Sequence, residues 1–424
     1  AGYFSMVKIY PFAAVRLTRS SAPAIAAVPY DVVTAEEARA IIGKNPESFL
    51  RVSRADAELP GIPPYDEPVY QQAQRNFAAL MADGRMRQDP APSMYLYRVL
   101  QDGAVFLGLA CCLDVEDYRA NRIRRHEQTR YDKEEDRTRH IEATKTHNGP
   151  VVLLYRNNGE IFSFIESLVP AGSEPNAEVE TGNGIIHQIF RLSDPDLLRQ
   201  LEDVFSRLPA LYIADGHHRA KSAVNVADRH PGAQPADGIN QFLGVMFAHD
   251  RVRIHGYSRL LTDLGTYDTA SFLEELRKYF AISAVNPADT GGFQIAPRIQ
   301  DPDQYHIVHI YLAGLWYECT RRIDPRGSDP GSLDVAVIQR YILENLLGIT
   351  DPRGDVRLQY LGGARPIRDL MQLVDSGKYV LAIAMQPVRI SSVLAIADAG
   401  GIMPPKSTWF EPKLLSGLVV HTFE

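Results

Sequence analysis

The sequence predicts an α+β fold, and three observations carry that prediction. Helix-period segments and short apolar strand runs alternate along the 424 residues. Turn signals join neighbouring runs at Gln101-Asp102-Gly103 and at Asn157-Asn158-Gly159. The stretch from Ile185 to Ala227 reads strand, helix, strand, tight turn, helix. A chain this long suggests two domains, or one domain elaborated by further α/β layers. The expected division is an N-terminal α+β region over 6–150 and a second α+β region over 151–424. Ala1 to Ser5 read as a remnant of cloning, with the natural start expected at Met6.

In chain order, Val7 to Pro11 reads as a short strand continued by Ala14 to Leu17, and Ala26 to Val33 as an extended run broken by Pro29. Thr34 is placed to cap a helix over Ala35 to Ile42, helped by Glu37. A proline-rich loop, Pro60 to Pro64, precedes a helix over Pro68 to Met81, and Met94 to Leu100 with Val105 to Leu113 make a hairpin. Arg122 to His147 carries eight Lys or Arg, six Asp or Glu and three His. Asp132 to Thr144 within it suits a solvated helix laced with ion pairs, with Glu135 completing a box on Asp132. Pro150 to Tyr155 and Glu160 to Val169 read as a second hairpin. The strand Ile185 to Leu192, a helix over Pro195 to Leu208 capped near Ser193 and Asp194, and the strand Leu211 to Ala214 follow.

Further on, Gln241 to Phe247 and Val252 to His255 are expected to pair around His249-Asp250. A helix over Thr269 to Phe280, strands Tyr305 to Tyr311 and Gly314 to Thr320, and a helix from Asp334 to Leu347 ending at Gly348 come next. A strand over Tyr379 to Gln386 and a helix over Ile390 to Ala399 complete the order, and Gly400 to Phe410 is an ordered loop.

The composition, 45% hydrophobic and 23% charged, is that of an ordinary soluble globular protein. A net charge of −7 argues against nonspecific nucleic-acid binding, so no nucleic-acid partner is expected. Three cysteines cannot build a disulfide framework, which fits a cytoplasmic location. There is no run of eighteen apolar residues and no signal-peptide pattern, so no membrane partner is expected either.

The chemistry concentrates at Leu211 to Val224. A buried-type strand runs into Asp215 and Gly216, and His217, His218 and Arg219 open a helix. The first turn of a helix presents unpaired N–H groups to an anion, and its dipole favours negative charge. Gly216 admits close approach of a ligand, Arg219 can grip phosphate or carboxylate oxygens in pairs, and the imidazoles can add donors. Asp215 is a metal ligand, a general base or an orienter of one histidine. Arg125-His126-Glu127, in a charged loop, is a second cluster able to line an acidic or phosphorylated ligand. Lys406 and Lys413 are either exposed or aimed at an anion. Lys406-Ser407-Thr408 follows Pro405 rather than glycine, which rules out a Walker A loop, and His126-Glu127 lacks the second histidine of a zinc protease helix.

The run Ile213-Ala214-Asp215-Gly216-His217-His218-Arg219 resembles the signature of the family called domain of unknown function 1015. Val7 to Phe12 with Pro29-Tyr30-Asp31-Val32-Val33, Arg125-His126-Glu127-Gln128-Thr129, and Met403 to Phe410 through Pro412-Lys413 to Ser416-Gly417-Leu418 fit the same pattern in the same order. The turn is also similar, more remotely, to the phosphate-binding turn of the ParB and sulfiredoxin-like fold and of free serine kinases built on it. That likeness implies a nucleotide-binding core, and the family resemblance adds Asp31, Lys406, Ser407 and Thr408 as ligand contacts.

Together these readings predict a small-molecule kinase that moves a phosphoryl group from ATP or ADP, with Mg2+, to a hydroxy amino acid such as free L-serine. Gly216, His217, His218 and Arg219, with Lys406, Ser407 and Thr408, would hold the nucleotide, and Asp31 and Arg125 the substrate. Asp215 would hold the metal or take the proton; Glu127 is the second choice of base, with His126 orienting it. The alternatives are a metal-dependent hydrolase using Asp215, His217 and His218, and a noncatalytic nucleotide sensor.

Overall fold

The structure, a computed structural model, describes residues 6–326 and 333–423. The expected cloning remnant, Ala1 to Ser5, lies outside them. The chain divides into two compact units, Ala1–Val252 with Pro412–Glu424, and Arg253–Glu411. The division expected at residue 150 is thus corrected, because strands on both sides of that position pair in one sheet of the first unit.

That sheet holds β1 (Ile9–Tyr10), β2 (Met94–Gln101), β3 (Ala104–Asp114), β4 (Ile123–Arg124), β5 (Val151–Tyr155), β6 (Ala177–Glu180), β7 (Ile186–Leu192), β8 (Leu211–Asp215) and β9 (Gln241–Ala248). Its order is β4-β8-β5-β9-β3-β2-β7-β6, with β1 on β3. β4 with β8 and β5 with β9 are parallel, and the other pairs antiparallel. β5 and β9 are buried along their whole length, as suits strands covered on both faces. β2 and β3 form the hairpin expected across Asp102-Gly103.

The longer helices of this unit are α1 (Ala35–Lys44), α2 (Glu67–Ala82), α3 (Tyr131–Thr144), α4 (Glu160–Ser167), α5 (Pro195–Phe205) and α6 (His217–Asp228). Thr34 caps α1 by accepting from the Glu37 N–H, as expected. α4 replaces the strand expected after Asn157-Asn158-Gly159. The Asn157 and Asn158 side chains accept from the Gly159 and Glu160 N–H groups, and Ile161, Phe162 and Ile165 are buried at helical spacing.

α3 departs from its expected character as well. Its N-terminus carries no side-chain cap, and Asp132 pairs with Arg130 instead. One face is buried rather than solvated: Asp136 and Arg137 pair at 2.9 Å, the Tyr70 hydroxyl donates to Asp136 at 2.8 Å, and Arg137 donates to the Ser53 carbonyl. The outer face keeps the expected ion pairs, Glu135 and Glu142 with Arg229.

The second unit is built on β10 (Ser258–Leu261), β11 (Ala281–Val285), β12 (Tyr305–Leu312), β13 (Leu315–Arg322), β14 (Leu358–Leu361) and β15 (Leu381–Met385), in the order β11-β13-β12-β15-β10-β14. The strand expected to pair with Gln241 to Phe247, here Arg253–His255, pairs instead with Trp409–Glu411. The helix from Asp334 changes at Gln339 to wider π-type turns before Gly348, whose positive φ of 68° ends it. No described helix is long and apolar enough to cross a membrane.

Candidate active site

The site grows from the end of β8. A bulge between Ile213 and Asp215 breaks the register against β5 and turns the Asp215 side chain out of the ladder. Gly216 follows at φ 94°, a left-handed conformation that glycine adopts without strain, and caps α6. A Cβ there would lie 3.1 Å from the Arg219 guanidinium, so only glycine leaves the guanidinium its place beside the turn.

Arg219 is 9% exposed. Its Nη1 donates to the Pro150 carbonyl at 2.5 Å, while Nε and Nη2 are buried without a hydrogen-bond partner. Asp215 Oδ1 stands 3.9 Å from Nη2, and Lys413 Nζ donates to Asp215 Oδ2 at 2.9 Å. Burial alone would raise the Asp215 carboxyl, but Lys413 and Arg219 outweigh it and hold the group far below the carboxylate range. Lys413 arrives on a returning segment fixed by the Leu415 N–H donating to the Tyr97 hydroxyl and by Ser416 pairing with Ala27. The sequence left this lysine open between exposure and an anion; its partner is Asp215.

His126, Glu127 and His217 converge beside the turn. The His126 and His217 rings meet edge to face at 4.6 Å, and the His126 backbone N–H donates to His217 Nε2 at 3.3 Å. Glu127 lies 3.6 Å from His217 Nδ1 and 4.0 Å from His126 Nε2. Burial pushes both histidines down to about 3, against the upward pull of Asp215 on His217 and of Glu127 on His126, so both rings are neutral at physiological pH. His218 Nε2 accepts from the Arg130 N–H; burial lowers its pKa although Asp31, Glu127 and Glu134 pull the other way.

Asp31 sits in the turn Tyr30–Val32, and its charge reaches His218. Arg54 fixes the turn by donating to the Tyr30 and Val33 carbonyls, and the Arg137 guanidinium covers the Tyr30 ring at 4.1 Å. Arg125 donates to the Tyr118 hydroxyl at 2.6 Å. Lys406, Ser407 and Thr408 belong to the second unit. Lys406 Nζ lies 5.3 Å over the Tyr257 ring, the Ser407 hydroxyl donates to the Pro404 carbonyl, and Thr408 is buried.

The unpartnered donors of Arg219 and the N–H groups at the start of α6 fit phosphate oxygens. A dedicated magnesium cage does not fit. Among the described residues the only convergent group of three possible ligands is His126, Glu127 and His217, rich in nitrogen, whereas magnesium takes oxygen. Asp215, His217 and His218, the set expected for a hydrolase, do not form such a group among the described residues.

A family profile described as "Protein of unknown function (DUF1015)" matches residues 9–337. The chain belongs to this family. No curated protein matches the sequence. Among solved structures, a free serine kinase in complex with AMP is similar at 11% identity and a TM-score of 0.37, over 74% of this chain and 91% of that one. A conserved hypothetical protein from Pyrococcus furiosus is similar at 12% identity and TM-score 0.33, over 71% and 90%. SbnI with a C-terminal truncation, from Staphylococcus aureus, is similar at 10% and 0.35, over 73% and 86%.

Proposed function

We propose that the protein is a nucleotide-dependent phosphotransferase that passes a phosphoryl group from ATP or ADP to a small hydroxy amino acid such as free serine. The observation that carries this reading is Arg219, a buried guanidinium with two N–H directions unfilled beside a glycine-capped helix start. A buried charge-bearing donor left unpaired is costly unless a ligand completes it. The reading also takes the first unit's sheet as a ParB and sulfiredoxin-like nucleotide-binding core.

In this reading Arg219 and the first N–H groups of α6 hold the terminal phosphates. Asp215 fixes Lys413 and Arg219 rather than binding metal, because both cations already engage its oxygens. Any magnesium would be held by the nucleotide's own phosphates rather than by a protein cage, and would supply charge neutralisation there. Glu127 accepts the substrate hydroxyl proton as that oxygen bonds to phosphorus and the bridging P–O bond breaks, leaving the charge on the departing nucleotide. Asp31 offers a carboxylate to the substrate ammonium, and Arg125 a cation to its carboxylate.

Calorimetric titration with ATP or ADP plus magnesium, followed by phosphorus NMR with serine present, tests this. Nucleotide binding together with a phosphoserine signal is the expected outcome. Binding with no transfer to any hydroxy amino acid would instead identify a nucleotide sensor, and no binding at millimolar nucleotide would sink both.

A further inference from the structure

We propose that His217 is a positioning residue: its Nδ1–H holds the Glu127 carboxylate, and the His126 backbone N–H at its Nε2 fixes the tautomer that makes this so. The inference rests on Glu127 being the base of the proposed transfer, and it replaces the expectation that His126 does the orienting.

A neutral imidazole carries one proton, and the nitrogen that accepts a hydrogen bond cannot hold it. Nε2 accepts from the His126 N–H at 3.3 Å, so the proton resides on Nδ1, which faces Glu127 Oε2 at 3.6 Å. This separation is longer than a full hydrogen bond, as befits a catalytic contact that tightens when substrate arrives. The ring has little freedom to turn away, being 4% exposed and packed edge to face on His126, whose ring is hydrogen-bonded to the Ile213 backbone. Besides Glu127 and His126, the charged and titratable groups facing His217 are Asp215, His218, Arg125 and Arg219. The same tautomer disfavours a metal at Nδ1, which would have to displace that proton while Nε2 still faces a donor.

Nitrogen-15 NMR of the full chain labelled in histidine reads the tautomer without reference to activity. The expected result is a protonated Nδ1 and a bare Nε2 on His217; the opposite tautomer, or a charged ring at pH 7, overturns the proposal. Two variants read the consequence. Asparagine places an amide N–H near the position of Nδ1, whereas glutamine reaches the position of Nε2 and offers nothing to Glu127. His217→Gln is expected to lose about 100-fold in kcat, the scale of a misplaced reacting group, with nucleotide KM within about twofold. His217→Asn is expected to recover at least about tenfold of that loss. Equal losses in both variants, or a loss confined to KM, overturn the proposal. Absence of transfer by the unmodified chain would sink the proposed activity instead. The nitrogen-15 spectrum of His217 then decides, with Nδ1 protonated and Nε2 bare if the contact exists.

Discussion

Each unit buries an arginine, Arg219 in the first and Arg259 in the second, and the two are held differently. In the first unit Arg219 spends one N–H on the Pro150 carbonyl, keeps Nε and Nη2 without hydrogen-bond partners, and has a carboxylate, Asp215, at 3.9 Å. In the second, Arg259 is 3% exposed and donates through Nη1 to the Tyr257 carbonyl and through Nη2 to the Lys406 carbonyl. Its cation lies 5.1 Å over the Tyr360 ring, and burial lowers its pKa to about 10. Arg259 Nε is also buried without a hydrogen-bond partner, so the difference is one of degree: Arg219 is anchored by one carbonyl with two donor atoms to spare, while Arg259 is tied to two carbonyls and pins a loop. A cationic motif points to a ligand only when its charges are held in place yet not consumed by their own backbone.

The largest expected effect tests that contrast. Arg219→Ala should weaken ATP or ADP binding by at least about 100-fold, the equivalent of two charge-assisted hydrogen bonds at roughly 1.5–3 kcal/mol each. Arg259→Ala should leave nucleotide affinity unchanged but cost about 3 kcal/mol of stability, from the void and the two carbonyls it strands. Calorimetry and thermal melts on the two variants separate these outcomes, and equal affinity losses would erase the difference between the sites.

A second contrast lies in the histidines. In the first unit burial lowers His126 and His217 to about 3 and His187 to about 4, and pushes His140, His147, His218 and His421 down as well. In the second, burial also lowers His309, but Glu318, 3.0 Å from its ring, works against the shift. Above pH ~6.5 these rings are neutral folded or unfolded and the shifts are silent. As pH falls below that, the unfolded chain binds protons the folded one refuses, so stability drops until the folded pKa near 3 is passed. At pH 5.5 each fully buried histidine costs roughly 1 kcal/mol. Hydrogen exchange at pH 7 and 5.5 should show the first unit opening well before the second; simultaneous loss of protection would contradict this.

How much of this was legible beforehand follows from the range of each interaction. The strand, the glycine turn and the helix of Leu211 to Val224 are local, and the sequence carries them in order; the β2–β3 hairpin is legible for the same reason. The Lys413–Asp215 pair spans 198 residues, and no spacing rule reaches that far. The bulge that turns Asp215 comes from pairing with β5, which the strand's own residues do not encode. α4 was misread because Asn157-Asn158-Gly159 serves a hairpin or a helix start equally well until the asparagine side chains choose their N–H partners. The buried face of α3 was hidden because Asp136 and Arg137 neutralise each other there, and charged residues otherwise mark a solvated face.

The smallest expected effect concerns Lys406, which the family resemblance placed among the nucleotide contacts. Its backbone is held at φ 58°, a left-handed value a lysine adopts at a cost, and its exposed ammonium lies over Tyr257. Those features make it the tip of a loop fastened by Arg259. Lys406→Ala should change nucleotide affinity by no more than about twofold, within the range of one exposed charge. Lys406→Gly should relieve the backbone and stabilise the second unit by up to about 1 kcal/mol, visible as a higher melting temperature. A tenfold or greater loss of affinity in either variant would bring Lys406 into the nucleotide site, and the two cationic motifs would then be parts of one device rather than a contrast.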